Sequence, residues 1–353
     1  MRGQLCRAEI DPTQRMVFKW HCRAAHFAVL CALLCGCLPA RTTEGDVTST
    51  LLIGGSKIDV TIESGEMRLS QAELMHWVQT AAEAVATYYG RYPVPHVQIH
   101  IIPVHGTGVR HGQTFGYDGG LIKIQVGKQT QATELGNDWM LTHEMVHLSF
   151  PSMSDEHHWI EEGIAVYVEP IARIQARQMS AEQMWADLVR DMQKGLPQDG
   201  DRGLDHTHSW GRTYWGGALF CFVADVEIRK QTHNEKGLQD ALRGILDGGG
   251  DIRHDWELAE AFKTGDGVTG TAVLNGLYAK WKDQPVEVDL AAMWKELGIV
   301  ADGKSVRLVE DAPLAGVRRA ITALQVSKES NSEGILPSAV FAGRSVADSR
   351  PRL

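Results

Sequence analysis

One short motif limits the possible folds of this chain more than any other feature: His143-Glu144-Met145-Val146-His147. Two histidines four residues apart on a helix lie about 40° apart around its axis, so both imidazoles can reach one zinc ion from the same face. Glu144 then lies beside the ion, where it can take a proton from a water on the metal. A buried histidine pair without metal is the alternative, but it would leave polar groups desolvated without a strong partner. The motif therefore implies metal-assisted hydrolysis.

A catalytic zinc needs a third protein ligand, and the residues after the motif restrict the choice. The metzincin pattern requires a glycine at position 150 and a histidine at position 153, where this chain has Phe150 and Met153. The gluzincin pattern requires a Glu before a Gly on the next helix, and Glu162 stands in that place. Its neighbour Glu161 would point about 100° away around the helix. We therefore expect Glu162 to be the third ligand.

Two further residues are candidates for roles around the ion. Glu169 follows Glu162 by seven residues and points in nearly the same direction, so it can fix the tautomer of a zinc-bound imidazole. The alternative is a surface carboxylate at a helix end set by Pro170. Tyr214 comes just before a Gly-Gly-Ala turn that opens an apolar helix, where its hydroxyl could stabilise an oxyanion. The alternative for Tyr214 is simple packing.

These segments together resemble the gluzincin metallopeptidases, in particular the glycyl aminopeptidase family and its aminopeptidase-N relatives. The resemblance spans about residues 95–245 and rests on three motifs in order: His143-Glu144-x-x-His147, Trp159-x-x-Glu162-Gly163-x-Ala165-x-Tyr167-x-Glu169, and Tyr214-x-x-Gly217-Ala218. It implies one zinc ion per chain, held by His143, His147 and Glu162. It also implies Glu144 as general base, Tyr214 as transition-state donor, and a peptide or protein as substrate.

The chain departs from the aminopeptidase-N pattern at two places. Fourteen residues separate His147 from Glu162, where those relatives have eighteen. Those relatives also have a Gly-x-Met-Glu-Asn segment, whose Glu binds the free amino group of the substrate. The corresponding strand here, Gly119–Gly127, has no acidic residue after its glycines. Internal cleavage and trimming of amino ends therefore both stay open. So do binding on a zinc scaffold without catalysis, and hydrolysis of a non-peptide amide or ester.

The beginning of the chain has the pattern of an export signal. Lys19 and Arg23 precede the apolar run Phe27–Leu34, which is too short to span a bilayer and is typical of a secretory signal. Residues 1–37 are therefore predicted to be a signal peptide. Because the run ends in a sequence that resembles a bacterial lipobox, Cys37 is a candidate for acylation, which would attach the protein to a membrane. The expected location is the bacterial periplasm or cell envelope.

Composition argues against two other classes of protein. The net charge of −9 makes a nucleic-acid partner unlikely, since phosphate binding needs a concentrated basic face. Removing the leader leaves only Cys37 and Cys221, so no internal disulfide framework is expected.

The pattern along the chain predicts an α+β fold. A hairpin within Leu51–Ile62, a helix over Gln71–Tyr89 and strands at His96–Ile102 and Leu121–Val126 precede the metal-binding helices. We expect Leu121–Val126 to lie at the sheet edge, where an extended peptide would align. The predicted organisation is a tether at 38–50, a thermolysin-like (gluzincin) catalytic lobe with a small mixed sheet at 51–230, a mostly helical lobe at 231–326 and a disordered tail at 327–353.

Overall fold

A mixed five-stranded sheet is built from the first part of the described chain. The structure, a computed structural model, describes residues 45–116 and 119–323. The strands are β1 (Val47–Ile53), β2 (Ser56–Ile62), β3 (His96–Val104), β4 (Val109–Phe115) and β5 (Leu121–Gly127). Their spatial order is β1-β2-β3-β5-β4. The β1–β2 and β4–β5 pairs are antiparallel, and the β2–β3 and β3–β5 pairs are parallel.

The edge of this sheet is not where the sequence placed it. β5 was expected at the edge, but it lies between β3 and β4 and pairs with both. Its alternate residues Ile122, Ile124 and Val126 are fully buried. The edge strand next to β5 is β4, which the sequence analysis missed because its Arg, His, Gly and Gln residues lack the apolar alternation of a strand.

The first helix, α1 (Gln71–Tyr89), has the bounds that its periodicity and capping residue predicted. Ser70 and Glu73 form a capping box at its beginning, and Gly90 ends it in the left-handed conformation. Its predicted apolar face is buried throughout: Leu74, Trp77, Val78, Ala81, Ala82, Val85 and Tyr88.

Helices make up most of the rest of the described chain. The helices after α1 are α2 (Ala132–Leu135), α3 (Met140–His147), α4 (His158–Gln175), α5 (Ala181–Asp191), α6 (Gly217–Gln231), α7 (Leu238–Asp247), α8 (Leu258–Thr269), α9 (Val273–Trp281), α10 (Leu290–Leu297) and α11 (Ala315–Thr322). Helices α3 and α4 carry the zinc-ligand candidates, and α7 to α11 lie in the region that was predicted to be mostly helical. A small hairpin of β6 (Ile299–Asp302) and β7 (Ser305–Leu308), which was not predicted, lies between α10 and α11.

The described residues form one compact unit with a continuous apolar core. This core reaches from Ile58 of the sheet to Trp281 of α9, so the two predicted lobes share one core. Helix α6 ends at Gln231, one residue past the predicted boundary at 230/231. The predicted tether at 38–50 overlaps the first strand, because β1 begins at Val47. The α+β class is confirmed.

Some predictions concern residues that the structure does not describe. The leader at 1–37, its acylation candidate Cys37 and the tail at 327–353 all lie outside the described residues. Within the described part of the chain, no helix is both long enough and apolar enough to cross a bilayer. Cys221 is buried there as a free thiol.

Candidate metal centre

The structure brings the three predicted zinc ligands together. His143 and His147 lie one turn apart on α3, and Glu162 lies on α4. Oε2 of Glu162 is 3.2 Å from Nε2 of His143 and 3.6 Å from Nε2 of His147, and one ligand atom from each residue lies within 4.8 Å of the others. Four ligands around a tetrahedral zinc with bonds of about 2.0–2.1 Å lie roughly 3.3 Å from one another. The donor set therefore fits one zinc ion without rearrangement of the helices.

The protonation of these groups suits metal binding. Burial lowers the pKa of His147 to about 3, with the neighbouring His143 adding to the effect, so its imidazole is neutral at physiological pH. Burial acts to raise the pKa of Glu162, but hydrogen bonds with His143 and His158 outweigh it and the pKa falls below its usual value. A neutral imidazole and an ionised carboxylate are the forms that bind a metal ion.

Asp138 fixes the beginning of the helix that carries both histidines. Its carboxylate oxygens accept hydrogen bonds from the backbone N–H groups of Met140 and Leu141, each at 3.1 Å. The indole N–H of Trp77 on α1 donates to the same carboxylate at 3.1 Å. An Asp that caps the first turn satisfies N–H groups that have no partner inside the helix. Asp138 therefore ties α3 to α1, a role that the sequence analysis did not assign.

The edge strand β4 holds the carboxylate of Glu144. The hydroxyl of Thr114 donates to Oε2 of Glu144 at 2.6 Å. A Cβ atom at Gly112 would lie 2.6 Å from Cγ of Glu144, so only glycine lets the strand pass this close. Burial raises the pKa of Glu144, and the Thr114 hydrogen bond opposes that rise. Glu144 is thus a desolvated carboxylate with a raised pKa beside the three ligands, as a general base requires.

His158 at the beginning of α4 contacts the outer side of Glu162. Its Nε2 lies 3.3 Å from Oε1 of Glu162, while Oε2 of the same carboxylate faces the two α3 histidines. Its Nδ1 lies 3.1 Å from Oε2 of Glu161, whose other oxygen accepts from the backbone N–H of Met153 at 3.1 Å. The sequence analysis gave neither His158 nor Glu161 a part in the site. The structure makes both of them supports of Glu162.

Glu169 does not have the contact that the sequence predicted. Its Oε1 accepts a hydrogen bond from Arg173 at 2.8 Å, and among the described residues it has no hydrogen bond to either imidazole. Nδ1 of His143 is buried and has no partner in the described chain. The surface alternative is also wrong, because Glu169 is buried and α4 continues through Pro170 to Gln175. Burial raises the pKa of Glu169 to about 7, against the effect of Arg173.

Tyr214, the predicted oxyanion donor, lines both of the cavities that contain the ligand His143. It belongs to a π-helical segment, Gly211–Gly216, that leads directly into α6. Burial and then the negative charge of Glu162 raise the pKa of its phenol to about 12, with Glu144 contributing. The phenol is therefore protonated at neutral pH and can donate a hydrogen bond. Packing also occurs, since the ring stacks on Trp210 at 5.9 Å between centroids.

Two glycines allow the Tyr214 segment to approach α4. A Cβ atom on Gly163 would lie 2.3 Å from the carbonyl carbon of Gly217. A Cβ atom on Gly217 would lie 2.0 Å from the carbonyl oxygen of Trp159. The backbones of α4 and α6 therefore touch at this crossing, one residue after Glu162 and three residues after Tyr214. This contact brings the phenol beside the third ligand.

The centre opens into two cavities that share its residues. One has a volume of about 900 Å³ and extends past Trp139 and Trp210. The other, of about 420 Å³, is lined by polar groups such as Gln113 and His158. His143, Glu144 and Tyr214 line both cavities. A substrate at the centre would thus have space on two sides.

Comparison with solved structures finds matches to the same fold. An aminopeptidase N family protein from Idiomarina loihiensis matches with a TM-score of 0.54 and 11% identity, over 72% of this chain and 49% of that chain. The chain has a gluzincin aminopeptidase-like fold. An M1 zinc metallopeptidase from Deinococcus radiodurans matches with a TM-score of 0.45 and 14% identity, over 69% of this chain and 52% of that chain. A mutant of that enzyme bound to a Tyr-Ser-Ala substrate matches with a TM-score of 0.46, 14% identity, and 70% and 54% coverage.

The chain spans about half the length of each matched structure. No family model matches the sequence, and no curated protein does. These comparisons therefore show the fold alone.

Proposed function

We propose that this chain is a zinc-dependent peptidase that hydrolyses peptide bonds with Glu144 as its general base. One observation carries the proposal: His143, His147 and Glu162 present three donor atoms at the spacing of a tetrahedral ion, with Glu144 and Tyr214 on the same cavity. A zinc scaffold that only binds would need the three ligands but neither a desolvated carboxylate nor a protonated phenol beside them.

The residues of the chain divide the chemistry among them. When bound, zinc supplies Lewis-acid chemistry, since it acidifies a water and polarises a carbonyl. Glu144 takes the proton from the attacking water and returns it to the leaving amine nitrogen, for which its raised pKa suits it. Thr114 holds the carboxylate by its hydrogen bond. The phenol of Tyr214 donates to the negative charge that develops on the carbonyl oxygen.

The test is cleavage of a mixed peptide library by the purified chain and by Glu144→Gln, with zinc content measured for both. We expect Glu144→Gln to keep its zinc and to lose activity by about 10²–10⁴-fold, the usual contribution of a general base. Glu83→Gln is the control, because it changes an exposed carboxylate on α1 that lines neither cavity of the centre, and it should keep activity. Cleavage that survives Glu144→Gln would remove the proposed base. Full zinc without any cleavage by the native chain would favour a binding protein.

We also propose that the protein is exported to the bacterial periplasm or cell envelope and attached by a lipid at Cys37. The basic and apolar pattern of the leader supports this, together with its lipobox-like sequence. In cells, Cys37→Ser should move the protein from the membrane fraction to the soluble fraction. An unchanged distribution would contradict the lipid attachment.

A further inference from the structure

The larger cavity beside the centre has aromatic walls, and we call it the aromatic arm. It is the cavity of about 900 Å³ whose lining includes Trp139, Trp210, Trp215, Met140 and Val166. A volume of this size is within the usual range of ligand pockets. The question is which part of a substrate it accepts.

Two of the most exposed large hydrophobic side chains in the described chain lie in the aromatic arm. Trp139 is 49% exposed and Trp210 is 61% exposed. Each indole also contacts a residue of the centre: Trp139 packs edge-on against His143 at 5.4 Å, and Trp210 stacks on Tyr214 at 5.9 Å. Exposed apolar surface that lines a cleft beside reactive groups is typical of a ligand-binding site. A group that contacts these rings would therefore lie next to the centre.

The charged side chains of the aromatic arm mostly neutralise one another. Glu169 is paired with Arg173 at 2.8 Å. Asp191 is paired with Arg190 at 2.5 Å and with Lys194 at 2.7 Å. The ammonium of Lys194 also lies over the rings of Trp210 and Trp215, at 5.7 and 5.5 Å from their centroids. The exposed indoles of Trp139 and Trp210 therefore remain available to an apolar group of a ligand, beside polar groups such as Arg110.

We propose that the aromatic arm binds a bulky apolar or aromatic side chain of the substrate, next to the scissile peptide bond, between Trp139 and Trp210. This inference rests on the proposed peptidase function and narrows its substrate class. Aromatic side chains gain from both buried area and ring geometry in such a site, whereas a charged side chain would lose its hydration there. The two tryptophans thus determine specificity, in addition to the residues that perform the chemistry.

The test is a set of internally quenched peptides that differ at one position at a time on each side of the cleaved bond, with Phe, Leu, Ala, Glu or Lys. At one of the varied positions, we expect kcat/KM for the Phe peptide to exceed that for the Ala peptide by about 10–100-fold, in line with selection by an apolar pocket. Trp139→Ala and Trp210→Ala should reduce this ratio to within about threefold, mainly through a higher KM for the Phe peptide. Trp139→Phe and Trp210→Phe should restore most of it. Leu52→Ala, an exposed apolar residue on β1, is the control and should leave the ratio unchanged.

The ratio separates specificity from damage to the centre, because a disturbed His143 or Tyr214 would slow the Phe and Ala peptides equally. Equal cleavage of all peptides by the native chain would overturn the inference and leave the peptidase function standing. A preference for Glu would also overturn it, and would point to Arg110 at the same cavity. No cleavage of any peptide by the zinc-loaded chain would overturn the peptidase function and this inference with it.

Discussion

The role of the Tyr214 hydroxyl can be tested with a single substitution. Tyr214→Phe removes one hydroxyl and keeps the ring stacked on Trp210. We expect kcat to fall by about 10²–10³-fold, as for other lost oxyanion donors, while zinc content and melting temperature stay unchanged. Steady-state kinetics on the best peptide will measure this. A loss of less than about threefold would assign Tyr214 to packing alone.

His158 offers a second test at the same scale. Because it contacts the outer oxygen of Glu162, His158→Ala should weaken zinc binding by about 10–100-fold, the usual effect of removing a group that orients a ligand. His158→Gln keeps a hydrogen-bond donor and should recover part of the affinity. Competition with a chelator of known affinity will measure it.

The control for His158 is His206→Ala. His206 is a comparably exposed histidine whose Nε2 lies 2.9 Å from Asp283, in a different part of the described chain. We expect this substitution to leave zinc affinity unchanged. Equal affinity of the native chain and His158→Ala would show that Glu162 needs no support from this side.

The residues of the centre were more predictable than their supports. The spacing of His143 and His147 specifies their geometry through the helix period alone, and the Glu-Gly pair identified Glu162. The contact of His158 depends on how the loop after α3 returns to α4, which no local pattern encodes. Glu169 was misassigned for a different reason: its partner Arg173 follows it by one turn on the same helix, a local pairing that the sequence analysis overlooked.

At the scale of elements, the crossing of α4 and α6 is the feature that positions Tyr214. Gly163→Ala would place a methyl group against the backbone of Gly217, where no side chain can give way. Overpacking of this kind usually costs about 1–3 kcal/mol, so we expect a lower free energy of unfolding and a loss of activity. Chemical denaturation and peptide cleavage will measure the two effects.

The matched control for Gly163 is Gly276→Ala. Gly276 lies inside α9, and a Cβ atom there would meet no atom within 4 Å. Alanine at such a site usually stabilises a protein by about 0.4–1 kcal/mol. If Gly163→Ala were equally harmless, the two helices would not touch as the structure shows.

Elements with a strong apolar period were predicted well, and the others were not. The capping signal at Ser70 and the buried face of α1 gave that helix its correct bounds. β4 was missed, although Gly112 and Thr114 make it the wall of the site, because a strand that faces a cleft carries functional residues instead of an alternating apolar pattern. Pro170 was expected as a possible helix end, but α4 continues past it.

At the scale of the whole molecule, the buried carboxylate of Asp205 joins α4 to α9. Asp205 accepts hydrogen bonds from the indole of Trp159 and from the hydroxyl of Tyr278 on α9, both at 2.8 Å. Nε2 of His157 lies 2.9 Å from the Tyr278 hydroxyl and 3.6 Å from Oδ2 of Asp205. Glu156 is close enough to complete a second possible ligand cluster with His157 and Asp205. Since both oxygens of Asp205 already accept hydrogen bonds, we assign this cluster to structure.

This network predicts a pH dependence of stability. The carboxylate of Asp205, 3.6 Å from Nε2, raises the pKa of His157 above its usual 6.5, with Glu156 and Glu257 adding to the effect against burial. A raised folded-state pKa gives stability that is complete below pH 6.5 and lost as the pH rises through the folded value. The free energy of unfolding should therefore decline above pH 6.5 in the native chain, and decline less in His157→Gln. Parallel slopes for the two proteins would contradict this.

The whole account depends on one zinc ion held by two histidines and one glutamate. The most direct test is elemental analysis of the purified chain after dialysis, alongside Glu162→Gln, His147→Ala and the control Glu83→Gln, which changes an exposed carboxylate on α1. We predict about one zinc per chain in the native protein and in Glu83→Gln, and almost none in the other two variants. Full zinc content in Glu162→Gln, or none in the native chain, would contradict the metal centre.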